Sequence, residues 1–221
     1  MQPQLLFTSD HSHTLYHPVL DETYHSRSGA IGESQYVYIA SGLDFVAQKQ
    51  DSIHLFEFGF GTGLNALLSW IYAEKQHKNV LYETIEKYPL DPSLSSQLNY
   101  GHELNEQEKM EKLGQIPWNV AFSVSPHFTI QKHHLDIFEF EFPAAAYDLV
   151  YFDAFAPSKQ SEVWAKDLLE KIHSSLKPGG TLITYCSQGQ FKRHLKEVGF
   201  ELSQLPGPFK KKEITRALKA K

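Results

Sequence analysis

The chain has 221 residues, 41% hydrophobic and 21% charged, which excludes a disordered or fibrous protein and sets the expectation of one globular domain. Lys and Arg number 21 against 26 Asp and Glu, so a net charge of −5 does not by itself mark a nucleic-acid binder. The single cysteine, Cys186, excludes an internal disulfide; the absence of a run of ~18–20 apolar residues or of a signal peptide sets a cytoplasmic, membrane-free expectation.

Residues 1–50 read as an N-terminal extension, with a hairpin around Tyr24–Tyr38 leading into a short helix over Ser34–Ala47. From about residue 51 the pattern alternates. Ile53–Phe58 is a buried strand, and Leu64, Leu67, Leu68 and Ile71 recur at helical spacing, predicting a helix from Thr62 to about Gln76. Strands follow at Asn79–Glu86, Phe128–His133 and Tyr147–Phe152, with a polar, helical insertion over residues 88–127. Glu162–Leu176 is a helix stopped by Lys177-Pro178-Gly179-Gly180. Thr181–Tyr185 is a strand, Gly189–Val198 a helix ended by Gly199, and short strands are expected near Glu201–Leu205 and Glu213–Ala217. Seven strands alternating with helices predict a doubly wound, mostly parallel, Rossmann-like α/β sheet in a single domain spanning 1–221. Ligands bind such a sheet at its carboxyl edge.

Four segments fall on that edge. Glu57-Phe58-Gly59-Phe60-Gly61-Thr62-Gly63 sits at the first strand-to-helix turn, where glycines let a ligand approach the backbone and a helix begins. Taken alone it is compatible with a dinucleotide loop. However, Leu64 stands where the third glycine of the dinucleotide fingerprint belongs, and the acid two residues before Gly59 suits a cation better than a pyrophosphate. Glu57 is therefore expected to face the ammonium of S-adenosyl-L-methionine. Glu86 ends the second strand, where a carboxylate accepts ribose hydroxyls in either type of nucleoside site. Asp136 follows the third strand, either to accept an adenine amino group between Leu135 and Ile137 or to cap a turn over Ile137–Phe140. Asp153 ends the fourth strand, close to where a transferable methyl would lie. There a carboxylate can orient an amine nucleophile and take its proton; Phe155 and Pro157 shape the loop after it.

With these in place the chain resembles the class I S-adenosylmethionine-dependent methyltransferases, and more narrowly the MnmC methyltransferase family. The narrower likeness is carried by Phe58-Gly59-Phe60-Gly61-Thr62-Gly63-Leu64-Asn65, Ile85-Glu86-Lys87-Tyr88-Pro89-Leu90, Phe152-Asp153-Ala154-Phe155-Ala156-Pro157 and Trp164. Glu22–Ser26, Glu33–Tyr38 and Gly207–Glu213 resemble that family's opening and ending segments. The resemblance implies N-methylation of the aminomethyl group on wobble uridine 34 of tRNA, giving 5-methylaminomethyl uridine, with or without 2-thiolation. It also implies donor contacts at Glu57, Gly59, Gly61, Gly63, Asn65, Glu86 and Asp136, with Asp153 catalytic. Such a site would stack the base on Tyr24, Phe155 or Trp164, with Pro157 beside them. The family's two-domain form adds a flavin-dependent domain; this length leaves no room for one, so no FAD is expected here and a separate enzyme would supply the aminomethyl precursor.

Charge gathers at the end of the sequence. Residues 187–221 hold nine basic side chains against three acids, a local +6 that leaves −11 on the rest. Lys210, Lys211 and Lys212 are the candidates to grip anticodon-stem phosphates, by a salt-sensitive interaction. Twelve histidines, including the pair His133-His134, have no metal-site spacing, so no metal is expected. Two other functions fit the same fold: a small-molecule amine methyltransferase or aminopropyltransferase, and a binding module without chemistry.

Overall fold

Three short strands open the chain: β1 (Gln4–Phe7), β2 (His13–His17) and β3 (Glu22–Thr23) form a small antiparallel sheet in the order β1-β2-β3. A computed structural model describes residues 2–209 and 211–221. The N-terminal hairpin is thus β1–β2, not the expected Tyr24–Tyr38 segment. The spaced aromatics Tyr24, Tyr36 and Tyr38 look like a strand pattern. Instead, a continuous helix starts at Ala30, runs as α-helix to Ser34, widens to a π-helix over Gln35–Leu43 and returns to α over Asp44–Ala47. It buries Val37, Tyr38, Ile39 and Leu43 against the main sheet.

That sheet has eight strands: β4 (Ser52–Phe58), β5 (Asn79–Glu86), β6 (Ala121–Ser125), β7 (Phe128–His134), β8 (Tyr147–Phe152), β9 (Leu176–Thr184), β10 (Phe200–Pro206) and β11 (Glu213–Lys219). Their order is β10-β11-β9-β8-β4-β5-β7-β6. The run from β9 to β7 is parallel, and β11, β10 and β6 are antiparallel additions at the two edges. Seven strands are the expected ones; the eighth, β6, lies in the insertion, where its three leading residues are exposed and leave no buried-face pattern to read. The rest of the insertion forms short helices at Pro92–Ser95, Tyr100–Glu103 and Gln107–Gln115.

Every residue of β8 is buried, as a central parallel strand covered on both faces requires. The N-terminal helix and the helix Leu64–Gln76 cover one face; helices Lys166–Ser175 and Gly189–Val198 cover the other. Lys177-Pro178-Gly179-Gly180 does not precede its strand but bulges within it. Tyr147 and Leu149 of β8 pair with Leu176 and Thr181, so three extra residues are accommodated on β9, with Gly179 at φ +79°. The expected helix over Glu162–Leu176 is split into a 3-10 turn at Ser161–Trp164 and an α-helix from Lys166. From the shared strand β4 the chain winds outward through β5 on one side and β8 on the other, so the crevice between their carboxyl ends is the switch point of the sheet.

Candidate active site

A cavity of about 590 Å³ opens at this switch point. Its floor is the glycine turn after β4. Gly59 has φ +89°, and a Cβ there would meet the Asp153 carbonyl oxygen at 2.8 Å, so only glycine lets the two strand ends lie this close. Gly63, in the left-handed region, is the N-cap of helix Leu64–Gln76. The Gly61 N–H donates to Glu86 Oε2 at 3.1 Å, and the Tyr88 N–H to Glu86 Oε1 at 2.8 Å. Two backbone donors therefore fix the Glu86 carboxylate on the wall, with lone pairs left for ligand hydroxyls.

Asp136 also reaches the wall, between Leu135 and Ile137. Its Oδ2 pairs with Lys87 at 2.7 Å and its Oδ1 accepts the Phe138 N–H at 3.1 Å. It caps the turn that follows, and a role toward an adenine amino group would have to share that carboxylate.

Glu57 is placed differently from the expectation. It is fully buried and does not reach the cavity wall. Asn65 Nδ2 donates to its Oε1 at 3.0 Å and Thr84 Oγ1 to its Oε2 at 2.8 Å. Burial, then the charge of Asp153, pushes its carboxyl up to about 8, which favours the protonated form near neutral pH. The residue that does face the cavity is Asn65. Its amide nitrogen spans Glu57 and Asp153, the second contact being 2.8 Å to Asp153 Oδ2. Its Oδ1 is buried with no partner. An acceptor left unpaired on a ligand-facing wall is costly unless a donor arrives, and an ammonium is such a donor.

Asp153 closes the far side. Tyr38, on the π-helical stretch, donates its hydroxyl to Asp153 Oδ1 at 2.5 Å. Irregular π turns recur at functional sites, and this one brings Tyr38 across 115 residues of sequence to the end of β8. Burial pushes the Asp153 carboxyl up to about 6 despite the hydrogen bonds from Tyr38 and Asn65.

Beyond Asp153 the cavity broadens into a second lobe under the N-terminal segment. Tyr24 and Phe155 meet edge to face at 5.0 Å, and Phe155 also touches His17 at 5.8 Å. Burial raises the Tyr24 hydroxyl above its ordinary value and holds the His25 imidazole down to about 4, so both are neutral. Trp164 is buried core; its indole N–H holds the Phe155 carbonyl at 2.8 Å. Pro157 is half-buried and stands off the cavity wall, one residue past Ala156.

Part of the basic tail is spoken for. Lys211 pairs with Glu33 inside the lobe, Lys192 pairs with Glu213 at 2.7 Å, and Lys219 donates to the carbonyls of His173 and Leu176 at 2.8 Å. Lys211 thus turns inward rather than offering a free phosphate grip; Lys212 is exposed, and Lys210 lies outside the described residues. The residues that sequence reasoning gave no role are Tyr38, Glu33, Tyr185 and His25. Cys186 is buried, which raises its thiol, as befits a core residue. Among the described residues no group of three or more His, Cys, Asp or Glu converges as metal ligands do, and no helix is long and apolar enough to cross a membrane.

Comparison with known proteins bears on the donor. Residues 115–220 match a family described as S-adenosyl-L-methionine-dependent methyltransferase. The tRNA 5-methylaminomethyl-2-thiouridine biosynthesis bifunctional protein MnmC of Cupriavidus necator is 30% identical over 204 residues, covering 87% of this chain and 31% of that protein. MNMC2 from Aquifex aeolicus superposes with a TM-score of 0.80 at 26% identity, over 99% of this chain and 71% of that one. The chain has the fold of S-adenosyl-L-methionine-dependent methyltransferases and is similar to MnmC along most of its own length. It spans about a third of the length of the curated relatives it matches. A probable spermidine synthase from Corynebacterium glutamicum superposes at TM-score 0.55 and 16% identity, which shows a shared fold. The cavity fits the donor: the glycine turn leaves room for it, Glu86 and Asp136 are fixed on its wall, and Asn65 Oδ1 awaits a hydrogen-bond donor.

Proposed function

We propose that this protein methylates the aminomethyl group of a wobble uridine in tRNA, giving 5-methylaminomethyl uridine, with the aminomethyl precursor made by a separate enzyme. The observation that carries it is a partly buried carboxylate, Asp153, held by Tyr38 and Asn65 where the donor lobe meets an aromatic-walled second lobe. Bound S-adenosyl-L-methionine supplies a methyl on a sulfonium, which is already a good leaving group. What the protein adds is position: Glu86, the Gly61 turn and Asn65 would fix the donor, and Asp153 would orient the amine in line. An amine attacks only as the free base. With both oxygens anchored and its carboxyl near 6, Asp153 is ionised above neutrality and would accept the proton that the amine sheds.

The second lobe suits a base turned out of a loop. Tyr24 and Phe155 offer apolar faces of the kind on which unpaired bases stack. The MnmC relatives are named for 5-methylaminomethyl-2-thiouridine biosynthesis in tRNA, which supports the same substrate class.

The test is incubation of the purified protein with methyl-labelled donor and bulk tRNA from cells lacking this modification, followed by nucleoside mass spectrometry. Label in a methylaminomethyl uridine is the expected result. Donor binding by calorimetry with no label in tRNA, and turnover of small amines instead, would overturn the tRNA assignment.

A further inference from the structure

The second lobe contains more acid than one proton-accepting carboxylate calls for. Asp153 is faced by Tyr38 from the N-terminal helix, by Glu33 near the start of that helix, by Glu57 from β4 behind Asn65, by Tyr185 at the end of β9, and by Lys211 from the loop between β10 and β11. Glu33 is 7% exposed, with its Oε2 accepting the Ser26 N–H at 2.8 Å. Two carboxylates in one low-dielectric lobe oppose each other's ionisation, and a third lies just behind them.

Among the described residues, Lys211 is the cation placed among them. It forms an ion pair with Glu33 and lies 4.2 Å from the centre of the Tyr185 ring. The Tyr185 hydroxyl is itself anchored to the Ala154 carbonyl at 2.8 Å, so ring, lysine and glutamate form a fixed stack one residue from Asp153. Glu33 acts to raise the Asp153 carboxyl and Lys211 acts to lower it. The two effects oppose at the same group, and both residues belong to segments remote in sequence from the glycine turn.

We propose that Lys211 is a positioning residue of the methyl-transfer step: by pairing with Glu33 it cancels the second carboxylate of the acceptor lobe, so that Asp153 stays ionised to take the proton of the incoming amine. The proposal rests on the role given to Asp153 above. It assigns the basic end of the chain an electrostatic task inside the site. It also makes Lys211, from the segment between β10 and β11, part of the site.

The test follows the ionisation of Asp153 in two ways. One is the acid limb of the kcat profile with an amine acceptor; the other is an NMR titration of the side-chain carboxyls in protein labelled with 13C-aspartate, assigned through Asp153→Asn, which needs no acceptor. In the wild type the midpoint is expected near pH 6. Lys211→Met should move it up by about one pH unit, Lys211→Arg should leave it in place, and Glu33→Gln should move it down. The double variant Glu33→Gln/Lys211→Met should return it toward the wild type. An unmoved Asp153 titration in Lys211→Met, or a higher acceptor KM with an unshifted acid limb, would overturn the proposal and make Lys211 a substrate contact. If Lys211→Met does not fold, Glu33→Gln carries the test alone: a midpoint that stays put or rises refutes it. Absence of turnover with every amine in the wild type would count against the proposed function, while the NMR titration would still decide the pairing.

Discussion

The two faces of the central sheet each bury a carboxylate, on neighbouring strands, and treat it in opposite ways. Glu57 of β4 points to the face covered by the N-terminal helix, beside Thr84; Glu83 of β5 points to the other face. Burial pushes both upward. Around Glu57 the partners are Asn65 and Thr84, neutral donors that offset little of that cost, and the carboxyl rises to about 8. Glu83 is hydrogen-bonded to His54 at 2.8 Å and to the Tyr147 hydroxyl at 3.0 Å, with His133 Nε2 at 3.5 Å; together they outweigh burial and hold the carboxyl at about 2. The lesson is that burial alone does not set charge. At Glu83, donors that include two imidazoles favour the ionised form, whereas at the wholly buried Glu57 an amide and a hydroxyl leave a proton in place at neutral pH. The face that holds the proton is the one next to the cavity.

The largest effect should separate the faces by activity. Asp153→Ala removes the anchored carboxylate at the mouth of the Glu57 face and is expected to lower methyl transfer by about 10²–10⁴-fold. Donor affinity, measured by calorimetry, should stay within a few fold, because Glu86 and the glycine turn remain. Retained turnover would remove Asp153 from the chemistry. Gly59→Ala on the same face should act through the donor instead. Its Cβ meets the Asp153 carbonyl at 2.8 Å and its φ of +89° disfavours alanine, so strain of about 1–3 kcal/mol should appear with at least a tenfold loss of donor affinity. Normal affinity in that variant would mean that the turn can relax away from β8.

Glu83→Gln should strike the other face and leave chemistry alone. A carboxyl held at about 2 against an ordinary 4.5 adds roughly 3 kcal/mol of stability while it is ionised. Because its folded value is depressed, that contribution is complete above pH 4.5 and drains away as the pH falls toward 2. Urea midpoints should therefore show the variant weaker by about 2–3 kcal/mol at pH 7, with the gap closing under acid. A constant gap across that window would show that shape, rather than charge, is what Glu83 supplies.

How much of this was legible in the sequence depends on how local the cause is. β5 and β8, and the helix Gly189–Val198 with Gly199 in the left-handed C-cap, follow the apolar periodicity and the glycine stop closely. The edge positions Gly59, Glu86 and Asp153 also follow, because a parallel sheet carries its strand ends to one side. The N-terminal hairpin was misplaced because a helix with a π turn spaces Tyr36 and Tyr38 like a strand, and because His11 and Asp21 turn the chain at positive φ without glycine. Tyr38 on Asp153 and Lys211 on Glu33 are long-range contacts with no local signal. Charge counting made Lys211 a surface lysine; only the fold of β10 and β11 against β9 turns it inward.

The smallest effect is the sharpest test of the comparison, because the same substitution should have the opposite sign. In Glu57→Gln the replacement amide stays neutral, can still accept from Asn65, and gives up only the option of ionising. The wild-type carboxyl, raised in the folded state, costs nothing below pH 4.5, an increasing amount between 4.5 and 8, and a constant amount beyond. Glu57→Gln should therefore gain about 3 kcal/mol on the wild type between pH 4.5 and 7, so that an amide misfit of about 1–2 kcal/mol leaves it weaker near pH 4.5 and stronger by about 1–2 kcal/mol at pH 7. Stability curves against pH for the two Gln variants should diverge from the wild type in opposite directions. If Glu57→Gln is instead destabilised and the gap does not change with pH, Glu57 is an ionised partner after all, and the place of the donor's ammonium shifts back from Asn65 toward it.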